Sequence, residues 1–495
     1  MKHEKPAIHR LATGVPGLDE ILGGGIPELS FNLIAGPPGS GKTTMAHQMM
    51  FALATPERPA SYFTVLGEPP LKMLRYQQQF NFYDLEKLNR SIRMVNLGED
   101  AMSGDLDQVL ARITQEIEVH TPSLVCVDSF RSVILTNQSA GKSYGSLQQF
   151  IQDLGILLAG WQATTFLIGE YLDAIDPNPI FTIADGIIWL RQSTQHNSVV
   201  RKIEIAKMRG QATLAGLHTF RIGPAGLKVF PPAQFSVPVA QELASPTTTQ
   251  LKMGIAGLDD MMGGGLPRGY SLLVAGPSGS GKSILAAAFL AEGASSGETG
   301  VIAAFETKPK VSRTRIVADL IAGGSVGLID TRGTDLSVDE IATLLMNEIH
   351  RLKASRVVID SLSGFELALA PTFRGDFRES LARLVTALAS TGVTVLMTSE
   401  LEDRYVDLRF SPYGTAFLTD SIIVQRYIEV DSRLRRMMAV VKVRARAHSD
   451  ELRLFHIDDD GIKLGGMLTD QEGLLGGSPT RHSKSTELAA SLVSQ

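Results

Sequence analysis

Two short stretches carry the residue types that hold phosphate. GPPGSGKTT (residues 36–44) and GPSGSGKSI (residues 276–284) both fit G-x-x-x-x-G-K-[ST], and their first glycines stand 240 positions apart. Such a loop cradles the phosphates of a nucleotide. Gly36, Gly39 and Gly41, and in the second copy Gly276, Gly279 and Gly281, leave no Cβ between the backbone N–H groups and the anion. Ser40, Ser278 and Ser280 fill variable positions of the loops. Lys42 and Lys282 are expected to reach the β- and γ-phosphates, and the hydroxyls of Thr43 and Ser283 to hold Mg²⁺. Thr44 and Ile284 follow in the first turn of a helix whose positive end faces the same anion.

A site of this kind also needs an acid on a neighbouring strand to orient the water shell of the metal. SLVCVDS supplies Asp128 and RVVIDS supplies Asp360, each the first charge after an apolar run. The elements that must position these groups repeat as well. TGVPGLDEILGGGIP (residues 13–27) precedes the first loop and MGIAGLDDMMGGGLP (residues 253–267) the second. After each loop come a helical segment and short apolar strands: SYFTVLGE, SLVCVD, TTFLIGE, DGIIWLRQ and KIEIAKMRG, then GVIAAFE, RVVID, TVLMTSE, DSIIVQRY and MMAVVKVRA. Strands apolar throughout, with helices between, indicate an α/β fold with a mostly parallel sheet buried on both faces. Self-similarity on this scale makes two tandem domains, 1–235 and 251–465. A Pro/Ser/Thr-rich linker, 236–250, joins them, and a Gly/Ser-rich tail, 466–495, is expected to be flexible.

At 495 residues the chain exceeds one ordinary core. It contains no run of eighteen apolar residues and no apolar signal core, so a cytoplasmic protein without a membrane span is expected. Its single cysteine, Cys126, lies inside an apolar run and reads as a core residue. A net charge of −5 argues against a dedicated nucleic-acid surface, although residues 433–436 (RLRR) form a local basic cluster.

The paired GLD…GGG-P leaders, doubled loops and strands ending Asp-Ser resemble the KaiC-like family of ATPases over nearly the whole chain, including LLGGSPTR (residues 474–481). The resemblance implies two RecA-like P-loop domains and assembly as a homo-hexameric ring. It also implies ATP hydrolysis with Mg²⁺ and docking of a regulatory protein partner. In the family a Glu-Glu pair after the second strand supplies the base. Here Gly67 and Glu68 stand at those positions in the first half, and Glu306 and Thr307 in the second. A one-residue offset on a strand reverses the face, so Glu306 is favoured as base, and Glu68 leaves the first site to hydrolyse slowly or only to hold ATP. The family further delivers a Lys-x-Arg pair onto the γ-phosphate of the neighbouring subunit. Lys207 and Arg209 match it, as do Lys442 and Arg444, while Arg436 matches another position near the nucleotide.

Two other functions bear weighing. Self-phosphorylation as in the family's autokinases would use adjacent Ser and Thr acceptors, but those positions hold Ala416 and Phe417, leaving Thr415 and Thr419 as the flanking hydroxyls. Displacement by one residue, about 3.3 Å along an extended chain, spoils in-line transfer. A RecA-like single-stranded DNA-binding ATPase would use loops after the Asp-bearing strands. The segment 131–146 offers only Lys142 as a lysine.

Overall fold

The computed structural model describes residues 8–64, 70–102, 106–129, 144–171, 180–195, 198–232, 249–305, 315–330, 335–375, 377–401, 418–430, 432–467, 471–472 and 480–481. The chain divides into two compact units, residues 1–232 and 233–495. Each is built on one nine-stranded sheet.

In the first unit the strands are β1 (Phe31–Gly36), β2 (Ala60–Thr64), β3 (Ile92–Asn96), β4 (Leu124–Asp128), β5 (Thr164–Glu170), β6 (Gly186–Gln195), β7 (Ser198–Met208), β8 (His218–Gly223) and β9 (Gly226–Phe230). Their order across the sheet is β9-β8-β7-β6-β1-β5-β4-β2-β3. The second unit repeats the plan with β10 (Ser271–Gly276), β11 (Gly300–Ala304), β12 (Val326–Asp330), β13 (Arg356–Asp360), β14 (Thr394–Glu400), β15 (Ser421–Val430), β16 (Arg433–Val443), β17 (Arg453–Asp458) and β18 (Gly461–Met467). Their order is β18-β17-β16-β15-β10-β14-β13-β11-β12, the same sequence of roles.

Six strands of each sheet are parallel and three continue it antiparallel through the long hairpins β6–β7 and β15–β16. The parallel strands are apolar on both faces because helices cover both. In β1, Leu33 and Ala35 join one buried cluster and Ile34 the other. In β10, Leu273 and Ala275 face one cluster and Leu272 and Val274 its opposite. The strands of KIEIAKMRG and MMAVVKVRA open the antiparallel part of these mostly parallel sheets. With two residues between β6 and β7, only antiparallel pairing is open to them, since a parallel partner needs a crossover of a dozen or more residues.

The principal helices are α1 (Lys42–Leu53), α2 (Pro70–Gln77), α3 (Leu106–His120), α4 (Tyr144–Gly160), α5 (Lys282–Ser295), α6 (Val338–Leu352) and α7 (Phe377–Ser390). No helix among the described residues is long and apolar enough to cross a membrane. The repeated leaders are structural. Each forms a short helix (Leu18–Leu22 or Leu258–Met261), and the Oδ1 of Asp19 accepts the N–H and hydroxyl of Thr13, as that of Asp259 accepts the N–H of Met253. Leu18, Ile21 and Leu22 are fully buried. Most of the linker and of the tail lies outside the described residues. Within the tail, Gly466 and Met467 close β18, and Gln471–Glu472 pairs with Thr480–Arg481.

Candidate functional site

Each phosphate loop leaves the carboxyl end of the central strand and enters a helix, β1 into α1 and β10 into α5. The turn requires left-handed backbone: Gly39 and Gly279 have φ of 72° and 74°, and Gly41 and Gly281 have 104° and 107°. A Cβ on Gly41 would stand 2.6 Å from Ile222 Cδ1, so glycine is also needed for packing. Lys42 Nζ donates to the Pro37 carbonyl (2.8 Å), and Lys282 Nζ donates to those of Gly276 (2.8 Å) and Pro277 (2.7 Å). Both ammonium groups therefore lie against their own loops. Burial lowers the pKa of each, opposed by Glu170 and Asp128 around Lys42 and by Glu400 and Asp360 around Lys282.

Glu170 and Glu400 are site residues that motif reading missed. Each ends a strand beside the loop, in register with Gly36 and Gly276 respectively. The signal was the shared terminal Glu of TTFLIGE and TVLMTSE, which becomes informative only when the neighbouring strand is known.

The two strand-end aspartates are held differently. Asp128 is buried, and its Oδ2 accepts the hydroxyls of Thr43 (2.7 Å) and Tyr62 (2.7 Å). Burial pushes its carboxyl pKa up, against the hydrogen bonds from Tyr62 and Thr43 and the charge of Lys42. Burial and the adjacent carboxylate push the Tyr62 phenol well up, so it stays protonated and donates. Asp360 instead accepts Thr398 Oγ1 at Oδ1 (2.5 Å).

These residues fit ATP with Mg²⁺. At Gly39 the loop faces open space, with nothing within 4 Å of where a Cβ would stand, and Ser40 Oγ beside it is buried with no hydrogen-bond partner among the described residues. In the first site a hydroxyl and a carboxylate, both hard oxygen donors, lie within hydrogen-bond distance of each other beside the cradle. Mg²⁺ uses one or two such protein ligands and takes the rest of its shell from phosphates and water.

The Lys-x-Arg pairs do not meet the loops of their own units. Lys207 Nζ donates to the Thr182 carbonyl (2.9 Å), and Arg209 pairs with Asp185 (3.0 Å). Asp185 in turn accepts the N–H of Phe31, the first residue of β1, while the loop begins at Gly36. The second unit repeats this arrangement: Lys442 donates to Thr419 O (2.6 Å), Arg444 pairs with Asp420 (3.3 Å), and Asp420 accepts the N–H of Ser271 at the start of β10. Five strand steps separate the two ends, about 17 Å. No lysine or arginine side chain spans that distance.

Arg436 lies over the Tyr427 ring, 5.5 Å from its centroid, and the Tyr427 hydroxyl is 3.0 Å from where a Cβ on Gly279 would stand. That places it alongside the second loop of its own chain. Thr419 is 2% exposed. Glu68, Glu306 and Thr415 lie outside the described residues, as do Ala416, Phe417 and residues 131–143 of the segment considered for DNA binding.

The family model described as "ATPase: KaiC" matches residues 11–234 and again residues 251–468. Among curated proteins, the chain is 25% identical over 492 residues to the circadian clock oscillator protein KaiC of Picosynechococcus sp., covering 96% of this chain and 93% of that one. It is 24% identical to KaiC 1 of Synechocystis sp. (96% and 93% covered) and 24% identical to KaiC of Synechococcus elongatus (97% and 93%). With both units matched and the repeated loops, aspartates and Lys-x-Arg pairs in equivalent places, the chain belongs to the KaiC ATPase family.

Proposed function

We propose that this chain binds ATP with Mg²⁺ at both loops and hydrolyses it within a homo-hexameric ring, whose nucleotide state controls subunit contacts and the docking of a regulatory protein. The observation that carries the reading is the separation of cations from phosphate sites. In each unit the loop opens at the carboxyl end of the central strand and the Lys-x-Arg pair stands at its amino end. A cation pair turned away from its own site serves a neighbour's, which calls for a closed ring in which every loop meets a pair.

In this reading Lys42 and Lys282 hold the β- and γ-phosphates, and Thr43 with Asp128 and Ser283 with Asp360 hold the metal directly or through its waters. Lys207, Arg209, Lys442 and Arg444 stabilise charge on the transferring phosphoryl group from the adjacent subunit. Glu306 is the base of the second site. The first site, with only Glu68 available, turns over slowly and chiefly holds ATP as part of the ring.

The test is to incubate the protein with Mg²⁺ and ATP labelled on the γ-phosphate, beside Glu306→Gln and Glu68→Gln. Release of labelled phosphate, lost mainly in Glu306→Gln, is the expected result. Stable label on the protein would overturn it in favour of an autokinase.

A further inference from the structure

The aspartate at the end of the Asp-bearing strand has a neighbouring strand on each flank. In the first unit β4 lies between β2 and β5, and in the second β13 lies between β11 and β14. Tyr62 on β2, two residues out of register with Asp128, donates to its Oδ2 at 2.7 Å, while the residue opposite Asp128 on β5 is Ile168. The second unit reverses this. Thr398 on β14 donates to Asp360, and the residue at the position of Tyr62 on β11 is Ile302, paired with Val358. Among the described residues each aspartate therefore has one hydroxyl from a flanking strand, and the two units take it from opposite sides.

The first-unit donor is also braced from below. The Tyr62 ring packs on His47 of α1, with centroids 4.5 Å apart and planes at 42°, and both residues are buried. The second unit has Ala287 at the place of His47, five residues after its loop lysine, so the aromatic pair and its hydroxyl occur together and are absent together. Thr43 bonds the same Oδ2 as Tyr62. When the Thr43 hydroxyl turns to a metal, Tyr62 is the remaining side-chain donor to that oxygen among the described residues.

We propose that Tyr62 is a positioning residue for Mg²⁺ at the first site: its hydroxyl fixes the Asp128 carboxylate toward Thr43, a role that Thr398 fills for Asp360 from the other flank. The inference rests on the reading of the first loop as an ATP–Mg²⁺ site. A carboxylate held by a charge-assisted hydrogen bond meets the metal's water shell without reorienting, and one that has lost the bond must be reordered on binding.

The test uses the full chain carrying Lys282→Ala, so that nucleotide binding reports the first site. A fluorescent ATP analogue is titrated at fixed low concentration against Mg²⁺, with a parallel measurement in EDTA. Tyr62→Phe keeps the ring on His47 and removes only the hydroxyl. It should raise the Mg²⁺ concentration for half-maximal binding about tenfold, as loss of about 1.4 kcal/mol would, and leave binding in EDTA unchanged. Adding Ile168→Thr, which copies the second unit's donor into the first, should restore most of the Mg²⁺ affinity. A merely structural role for Tyr62 would lower binding equally with and without Mg²⁺ and would not be rescued from the opposite strand. A Tyr62→Phe titration that overlays its parent overturns the positioning role alone. A Lys282→Ala parent that binds no nucleotide in Mg²⁺ overturns the first-site reading and the inference with it.

Discussion

The opposed ends of the central strand make a quantitative prediction about shared sites. Take the second unit, with Lys282→Ala disabling the loop in one variant and Arg444→Ala removing the cation in another. Arg444 is bound to Asp420 at the amino end of β10, about 17 Å from the loop at Gly276. Neither homogeneous ring should hydrolyse at this site, and the arginine variant should fall about 10³-fold or more. In rings assembled at random from equal amounts of the two, a productive interface needs an intact loop on one side and an intact arginine on the other. One interface in four meets both conditions, so mixing should restore about a quarter of the wild-type rate. Phosphate release would be followed on co-expressed, doubly tagged rings, with each parent alone setting the baseline. Mixed rings no faster than the mean of their parents would refute the reasoning, since cations acting within their own subunit cannot be complemented.

Two further outcomes follow from buried groups. His47 is fully buried, and burial pushes its pKa down from 6.5 to about 4 against the pull of Gln77. The unfolded chain binds that proton first, so stability from this residue is complete above about 6.5 and lost as pH falls toward 4, up to about 3 kcal/mol. Both tryptophans, Trp161 and Trp189, lie in the first unit, so urea unfolding followed by their fluorescence should show this loss in wild type. His47→Leu should unfold with a correspondingly shallower pH dependence, and an unchanged slope would remove His47 as the cause. In the second unit, Arg356 is buried, donates Nε to Glu298 (2.7 Å) and donates to the carbonyls of Lys252 (2.9 Å) and Phe289 (2.8 Å). Arg356→Ala leaves Glu298 with Arg268 as its remaining arginine and takes the guanidinium donor from two carbonyls, so it should lower second-unit stability by about 2–3 kcal/mol, read as a downward shift of its calorimetric transition.

Much of the site is written locally. A loop that cradles phosphate needs its glycines, lysine and hydroxyl within eight residues, because one turn and one helix start supply every group. Residues 36–44 and 276–284 are therefore readable without any tertiary information, and Asp128 and Asp360 follow from apolar runs that end in a charge. The 240-residue spacing of the loops announced the duplication, and apolar strands alternating with helices announced a parallel sheet covered on both faces.

What could not be read is what depends on strand order and register. Glu170 and Glu400 are ordinary strand-end residues until pairing places them opposite Gly36 and Gly276. Tyr62 and His47 look like core residues. Only the adjacency of β2 to β4 brings the phenol to Asp128, and only the adjacency of β14 to β13 brings Thr398 to Asp360. The Lys-x-Arg spacing was visible, yet its position at the far end of β1 and β10 came from the antiparallel return of β7 and β16. The chain alone thus singled out the groups proposed to hold a nucleotide. The folded sheet decided which carboxylates, hydroxyls and cations stand beside each loop, because hydrogen bonds between strands distant in sequence set those neighbours.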